Sequence, residues 1–571
     1  MVVPAVARRR LTVAALAIAL ALSAFGGEGR AAANPAATAN HTAAEVTRTA
    51  LHLRKVASWL SRYPSKPITA ATYDQDRHRW TVRAWSGKAG EIARVVVDDR
   101  TGVVAEAWTG PQVAWRMARG RPGAFGGRTL TSWPMWLTLS AVFFLGLADL
   151  RRPLSVRNAD LLALLSFGIP LAFFNRGEIF ESVLLTLPPL VYVLCRSTYV
   201  GFRSRPPRSS RPVVPAWLLL AATLFLVGMR IGLNVQTERS VIDVGYAGVI
   251  GASRILDGQA PYGHMPQEGS LPKCGPADSD GRVRNRIQAN GRCEGSNAHG
   301  DTYGPIAYLA YVPAVAAFGW SGRWDGLPAA HATAIALDLA VLAGLALLGL
   351  RLGGRRLAAA LAFAWVANPF TAYVLLSNTN DALMPAALVW GLVGATSASA
   401  RGVAVALAGW AKFAALLLVP LWLGYAGRRR GAHPARFAVG FAVATAAAFS
   451  ILLFEPDLGE ALRTFWQRTF EFQLERDSPF SIWGWGQYHA EGIPDLALGK
   501  WVVEAGTLAL AGIVAVFPAR KGPLELAALT AALLIATQLC LTHWFYLYIP
   551  WFLPFVVLAI VWRDATVRVD P

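Results

Sequence analysis

Charged residues are scarce in this 571-residue chain, at 16% of the total against a hydrophobic share of 54%. A soluble domain carries roughly 25% charged residues, so the scarcity excludes an ordinary cytosolic protein. Acidic residues are the scarcer sign: 35 of them against 54 basic ones leave a net charge of +19. In a polar chain that excess would point to nucleic acid, but no basic groove with interleaved aromatics is present, which argues against that partner. Lysine is also rare. Lys55, Lys66, Lys88, Lys273, Lys412, Lys500 and Lys521 are the only seven, and 47 arginines carry the remaining basic charge. No His/Asp/Glu cluster with metal-ligand spacing stands out, so no cofactor is predicted and a divalent-metal requirement is not readable.

What is abundant is apolar sequence almost free of charge, at 11–25, 131–149 and 213–229 among many other runs. The first reading is therefore a polytopic protein of the cell membrane, with membrane lipids as its surroundings. Arginine clusters such as Arg203, Arg205, Arg208 and Arg211, or Arg428, Arg429 and Arg430, are what cytoplasmic loops carry, because Lys and Arg bias a loop to stay inside.

Residues 1–33 read as a secretory signal peptide or an uncleaved signal anchor: Arg8–Arg10 precede the apolar stretch Leu11–Phe25, and Ala31–Ala33 supply small residues. Residues 43–117 read as a small extracytoplasmic domain. A helix is expected over Ala43–Leu60, with Val46, Ala50, Leu53 and Val56 near helical spacing and Pro64 and Pro67 beyond its end. Three strands are expected after it. Trp80, Val82 and Ala84 share a face of the first, Val95 and Val97 a face of the second, and the turn Asp98–Gly102 leads into the third, Val103–Trp108. With its phrase ARVVVDDRTGVVAEAWTG, this helix and meander resembles a PepSY-type domain.

Spans are expected at 131–149, 158–175, 178–196 and 213–234, each near the ~20 residues that cross a bilayer. Residues 131–212 thus hold additional membrane helices, and the loop 235–303 falls outside. Cys274 and Cys293 lie in that loop, where an oxidising compartment favours a disulfide worth roughly 3 kcal/mol in the loop-entropy picture. Cys195 and Cys540 sit in or at spans and need no role. Five spans, 304–320, 329–350, 356–375, 380–398 and 402–424, lead to the basic run at 428–436. This count puts Arg351, Arg355 and Arg356 outside, against the charge rule, unless one or two of the segments are re-entrant. A span at 436–454 delivers a second external loop, 455–499, and spans at 500–518, 523–541 and 543–562 end with Arg563 inside. The expected fold class is an all-α polytopic membrane protein of about 13 transmembrane helices with a small α+β extracytoplasmic N-terminal domain.

Two long loops on one face point to a site at the outer membrane–water boundary. Asp243 follows a span by about ten residues. Partial desolvation there would raise its pKa and suit it to take a proton, the alternative being a helix N-cap. Asp257, before Gly258, reads as a helix end or turn. Lys412 stands among largely apolar residues, either facing a cavity or snorkelling from a bend at Trp410. In the second loop Arg463, Arg468 and Arg476 interleave with Phe465, Trp466, Phe470 and Trp483. They suit a phosphate and sugar rings, or an interfacial helix with snorkelling arginines.

The ordered series DGQAPYG with Tyr262, TYGP with Tyr303, LSNTND at 376–381, AGWAKF with Lys412 and LTHWF with His543 resembles the GT-C superfamily of membrane glycosyltransferases. Over 213–562 it is most similar to glycosyltransferase family 87, the polyprenyl-phosphate-mannose-dependent mannosyltransferases. Tyr303-Gly-Pro305 stands for the family's Tyr-Pro-Pro, Ser377-Asn-Thr-Asn380 for its Gly-Gln-x-Asn, and four spans rather than one precede Asp243. The resemblance implies an inverting hexosyltransferase with a polyprenyl-phosphate sugar donor and a lipid or glycan acceptor. Asp243 would be catalytic, Lys412, His543, Arg468 and Arg476 would bind the donor phosphate, and Tyr262, Tyr303 and Trp483 would contact substrate. Asn380 and Asp381 are placed to orient partners, although the five-span count puts their knot inside. The rival readings are a lipid or solute transporter, which would favour inverted repeats that are not evident here, and a sensor or adaptor using the external domain.

Overall fold

The computed structural model describes residues 39–565 apart from 65, 121–122, 124, 204–213, 237–240, 278–282 and 426–432. The expected leader at 1–33 and the arginine clusters at 205–211 and 428–430 lie outside the described residues. The molecule is mostly helical. Among the described residues, seven helices are long and apolar enough to cross a membrane: Val156–Arg176, Ile179–Phe202, Ala216–Gln236, Pro328–Ala367, Pro434–Phe454, Ala497–Val516 and Pro523–Cys540. Five shorter apolar segments, Trp133–Leu147, Pro305–Phe318, Leu383–Val393, Phe413–Leu423 and Tyr546–Val561, accompany them.

Pro523–Cys540 is the central helix, with every residue from Leu526 to Ala536 buried, and it packs on Ile179–Phe202, Ala497–Val516 and the last helix. The outer helices keep apolar side chains on their exposed faces, among them Trp217, Leu224 and Phe225, then Val439 and Val443, then Trp501, Leu508 and Val516. Helices that are apolar inside and outside suit lipid rather than water.

Within the expected N-terminal domain the helix is two pieces, Ala43–His52 and Arg54–Leu60, because Leu53 is extended (φ −61°, ψ 124°). Thr42 and Glu45 close a capping box at its start. Four antiparallel strands follow in sequential order: β1 (Ile68–Asp74), β2 (Arg79–Trp85), β3 (Glu91–Asp98) and β4 (Val104–Thr109). Trp80, Val82, Ala84, Val95 and Val97 face the helices as their alternation predicts. β1 was not among the expected strands.

The largest departures lie between 304 and 424. The expected pair 329–350 and 356–375 is a continuous helical run, Pro328–Ala367, turned back at Gly354 (φ 71°, ψ −165°). A Cβ on Gly349 would lie 2.5 Å from Ala358 Cα, so the two halves form a tight hairpin. The expected span 304–320 is two short helices, Pro305–Leu309 and Val312–Phe318. The expected span 402–424 breaks at Lys412 (φ −141°, ψ 111°) into Ala398–Ala411 and a return segment, Phe413–Leu423. Arg401 ties the far ends of that hairpin by donating to Trp422 O and Tyr425 O.

The first long loop is a folded unit. Cys274 and Cys293 form the expected disulfide, and β5 (Asn285–Ile287) pairs with β6 (Cys293–Gly295). The buried ion pair Arg254–Glu294 joins this hairpin to the helix Asp243–Leu256.

Candidate functional site

Asp243 is the first residue of the helix Asp243–Leu256; the N-cap is Ile242, and its side chain makes no capping bond. The helix start rests on the polar knot at 377–381. Ile242 N donates to Ser377 O (3.3 Å), and Asn234 Nδ2 donates to Leu375 O and to Asn378 Oδ1, both at 2.8 Å. Gly245 is required for this approach, since a Cβ there would meet Asn378 O at 2.2 Å. The Asp243 side chain is exposed to solvent at the start of this helix. Crowding by protein pushes its carboxyl above the usual carboxylate range, against the opposing pull of the Val244 N–H, Arg476 and Lys412.

The knot lies at the same end of the bundle as Asp243, which corrects the five-crossing count. The two short helices of 305–318 pack beside Asp243–Leu256, and the hairpin at Gly354 leaves that end and returns to it. Asp381 is buried and pairs with Lys412 (Nζ–Oδ1 3.1 Å), and Trp551 Nε1 donates to the same oxygen at 3.0 Å. The Lys412 ammonium lies 5.1 Å from the Tyr303 ring centre and 5.7 Å from that of Trp551. It is held by an acid and two rings and does not snorkel. Burial and the neighbouring Asp243 carboxylate push the Tyr303 phenol well up. Tyr262 stands behind it: its hydroxyl donates to Tyr303 O (3.0 Å), and its ring packs edge-on against Tyr308 and Phe465.

Arg476 completes the cluster, within electrostatic reach of Asp243 and Tyr303. Its guanidinium lies 5.3 Å from the Trp115 ring and 5.8 Å from Phe472. His543 stacks obliquely on Trp115 (5.6 Å), and its Nδ1 is 2.9 Å from Ser478 Oγ. Burial, and secondarily the charge of Arg476, push the imidazole well below its usual range, toward the neutral form.

Two expected contacts lie elsewhere. Arg468 is taken up by Asp301 through two 2.7 Å bonds and by Ala298 O, so it ties the second loop to the first. Trp483 donates to Leu539 O (2.7 Å) and lines a small cavity with Val183, Phe480 and Trp544; among the described contacts none joins it to Asp243. Among the described residues, no three His, Cys, Asp or Glu side chains are grouped to hold a metal ion.

Trp115, Trp551 and Tyr548, whose ring stacks on Trp551 at 4.2 Å, escaped the sequence reading. Nothing in the sequence marks Trp115, which comes from the end of the N-terminal domain, after β4. Trp551 and Tyr548 were hidden in an apolar run. Neither a family model, nor a curated protein, nor a solved structure matches the chain.

Proposed function

We propose that this protein is an integral-membrane glycosyltransferase. It moves a sugar, mannose by the family resemblance, from a polyprenyl-phosphate donor to a cell-envelope acceptor at the outer face of the cytoplasmic membrane. The observation that carries this reading is the convergence of Asp243, Lys412 and Arg476, from three distant parts of the chain, around tyrosine and tryptophan rings.

The chemistry asks for one base and several cations. Asp243 takes the proton of the acceptor hydroxyl as that oxygen bonds the sugar's anomeric carbon. The bond from that carbon to the phosphate oxygen breaks on the opposite face, and the phosphate leaves with its charge held by Arg476 and Lys412. A carboxyl pushed above the usual range is a stronger base than a free aspartate, as this step requires. Polar side chains at this end suit the lipid headgroup level, where a polyprenyl phosphate presents its sugar. Arg203, Arg351, Arg355 and Arg356 gather at the other end, which the charge rule assigns to the cytoplasm.

The test is to incubate membranes with labelled polyprenyl-phosphate-mannose, and with the arabinose analogue, and to identify what becomes labelled. Asp243→Asn is expected to abolish transfer while the protein remains folded in the membrane. Full activity in that variant sinks the assignment.

A further inference from the structure

The N-terminal domain is bolted to the second loop and to the start of the helix Ile179–Phe202. Tyr63 Oη donates to Tyr488 O at 3.0 Å, and Glu491 N donates to Arg62 O at 2.8 Å. Trp59 stacks on Phe180 at 6.0 Å. Gln112 bridges two parts, accepting from Lys55 Nζ (2.5 Å) and donating to Gly177 O (3.0 Å). The segment leaving β4 is fixed at both ends by glycines in the left-handed region. A Cβ on Gly110 (φ 52°) would lie 2.6 Å from the Trp59 ring, and one on Gly120 (φ 65°) 2.5 Å from the Arg176 carbonyl carbon.

Between those points the chain makes two short helical turns, Pro111–Ala114 and Arg116–Arg119, interrupted only by Trp115 (φ −106°, ψ 107°). The Trp115 ring meets Arg476 at 5.3 Å, Phe480 edge-on at 5.5 Å and His543 at 5.6 Å. Arg476 has a second ring, Phe472, and among the described contacts no carboxylate within ion-pair distance. A guanidinium gripped by ring faces keeps its N–H groups unspent and is held in place without being neutralised. That is the condition a receptor for an anionic phosphate needs.

We propose that Trp115 is a positioning residue of the donor site: through its ring, the N-terminal domain holds Arg476 in place to receive the donor phosphate. The domain is then a wall of the site and not a separable binding module. This inference rests on the glycosyltransferase reading and names the part that the extra domain plays in it.

The test uses the full-length protein in detergent and a short-chain polyprenyl phosphate without sugar as the probe, with binding followed by calorimetry. Trp115→Phe keeps a ring face; Trp115→Leu keeps most of the bulk and loses it. The leucine variant is expected to bind the probe roughly tenfold more weakly and the phenylalanine variant within about twofold of wild type, the scale of one partly desolvated cation–ring contact. In the transfer assay the leucine variant should raise the donor KM by about the same factor with kcat nearly unchanged. A merely structural role would instead lower the unfolding temperature and the active fraction, and hence kcat. Equal probe binding by the leucine and phenylalanine variants overturns the role of Trp115 and leaves the enzyme reading standing. Absence of probe binding by the wild type overturns the donor reading and this inference with it.

Discussion

Three cations that look alike in the sequence do different work once folded. Arg468 is spent on Asp301, Lys412 is shared between Asp381 and two rings, and Arg476 keeps its hydrogen bonds for a ligand. Arg468→Ala strands the buried Asp301 carboxylate. It is expected to cost about 2 kcal/mol, less than the loss of a fully enclosed pair because Arg468 reaches solvent. Arg476→Ala should leave thermal unfolding unchanged and raise the donor KM. Melting curves and donor titrations on both variants check the contrast, and a fall in melting temperature for Arg476→Ala alone would reverse it. Asp243 gives a second residue-level expectation. Its raised carboxyl is protonated at a higher pH than an ordinary aspartate, so transfer should begin to fall on acidification above the usual aspartate range of about pH 4. The same shift favours the neutral form in the folded state. The stability it lends is complete below the unfolded pKa and is lost as pH rises through the raised folded value. Asp243→Asn, neutral throughout, should therefore melt above wild type at pH 7, with the gap closing in acid; a lower melting point at pH 7 would contradict the crowded setting of this carboxylate.

At the scale of elements, legibility followed periodicity. β2 and β3 were evident because Trp80, Val82, Ala84, Val95 and Val97 alternate and face the domain's helices. β1, ITAATYD, was not, because as an edge strand it is only partly buried and carries small and polar residues on both faces. Apolar stretches announced the membrane helices but not their breaks. The extended backbone at Lys412 and the step between Pro305–Leu309 and Val312–Phe318 are imposed by tertiary contacts, and apolar runs look alike whether they cross or turn back. Of the candidate site, Asp243, Lys412 and Arg476 were legible as charged residues in apolar or loop settings, and Tyr303 and His543 only through the family resemblance. Trp115 was not, since its role exists only through the docking of another domain. The Gly354 turn is sensitive to one substitution. Its φ and ψ belong to a region open to glycine, so Gly354→Ala should cost about 1–3 kcal/mol. Denaturation of the purified protein checks this, and an unchanged midpoint would mean that the hairpin is not held at that residue.

For the whole molecule, the ends of the bundle decide what the site can meet. Loop 235–303, the knot at 377–381, Lys412, loop 455–499 and His543 gather at one end, and Arg203, Arg351, Arg355 and Arg356 gather at the other. Counting 304–320 as a crossing separates Asp243 from Asp381 by the bilayer; folding it as a surface pair brings them together and turns the three arginines of the Gly354 hairpin inward, where the charge rule wants them. The break at Lys412 offsets the pass removed at 304–320, so a span count cannot separate the two arrangements. Side-specific labelling can. In a background with Cys195 and Cys540 replaced by serine, Asn297→Cys should react with an impermeant maleimide added to intact cells. Arg355→Cys should react only after the membrane is opened. Labelling of Arg355→Cys from outside would return segment 304–320 to the bilayer, place Asp381 and Lys412 on the far side from Asp243, and dissolve the site.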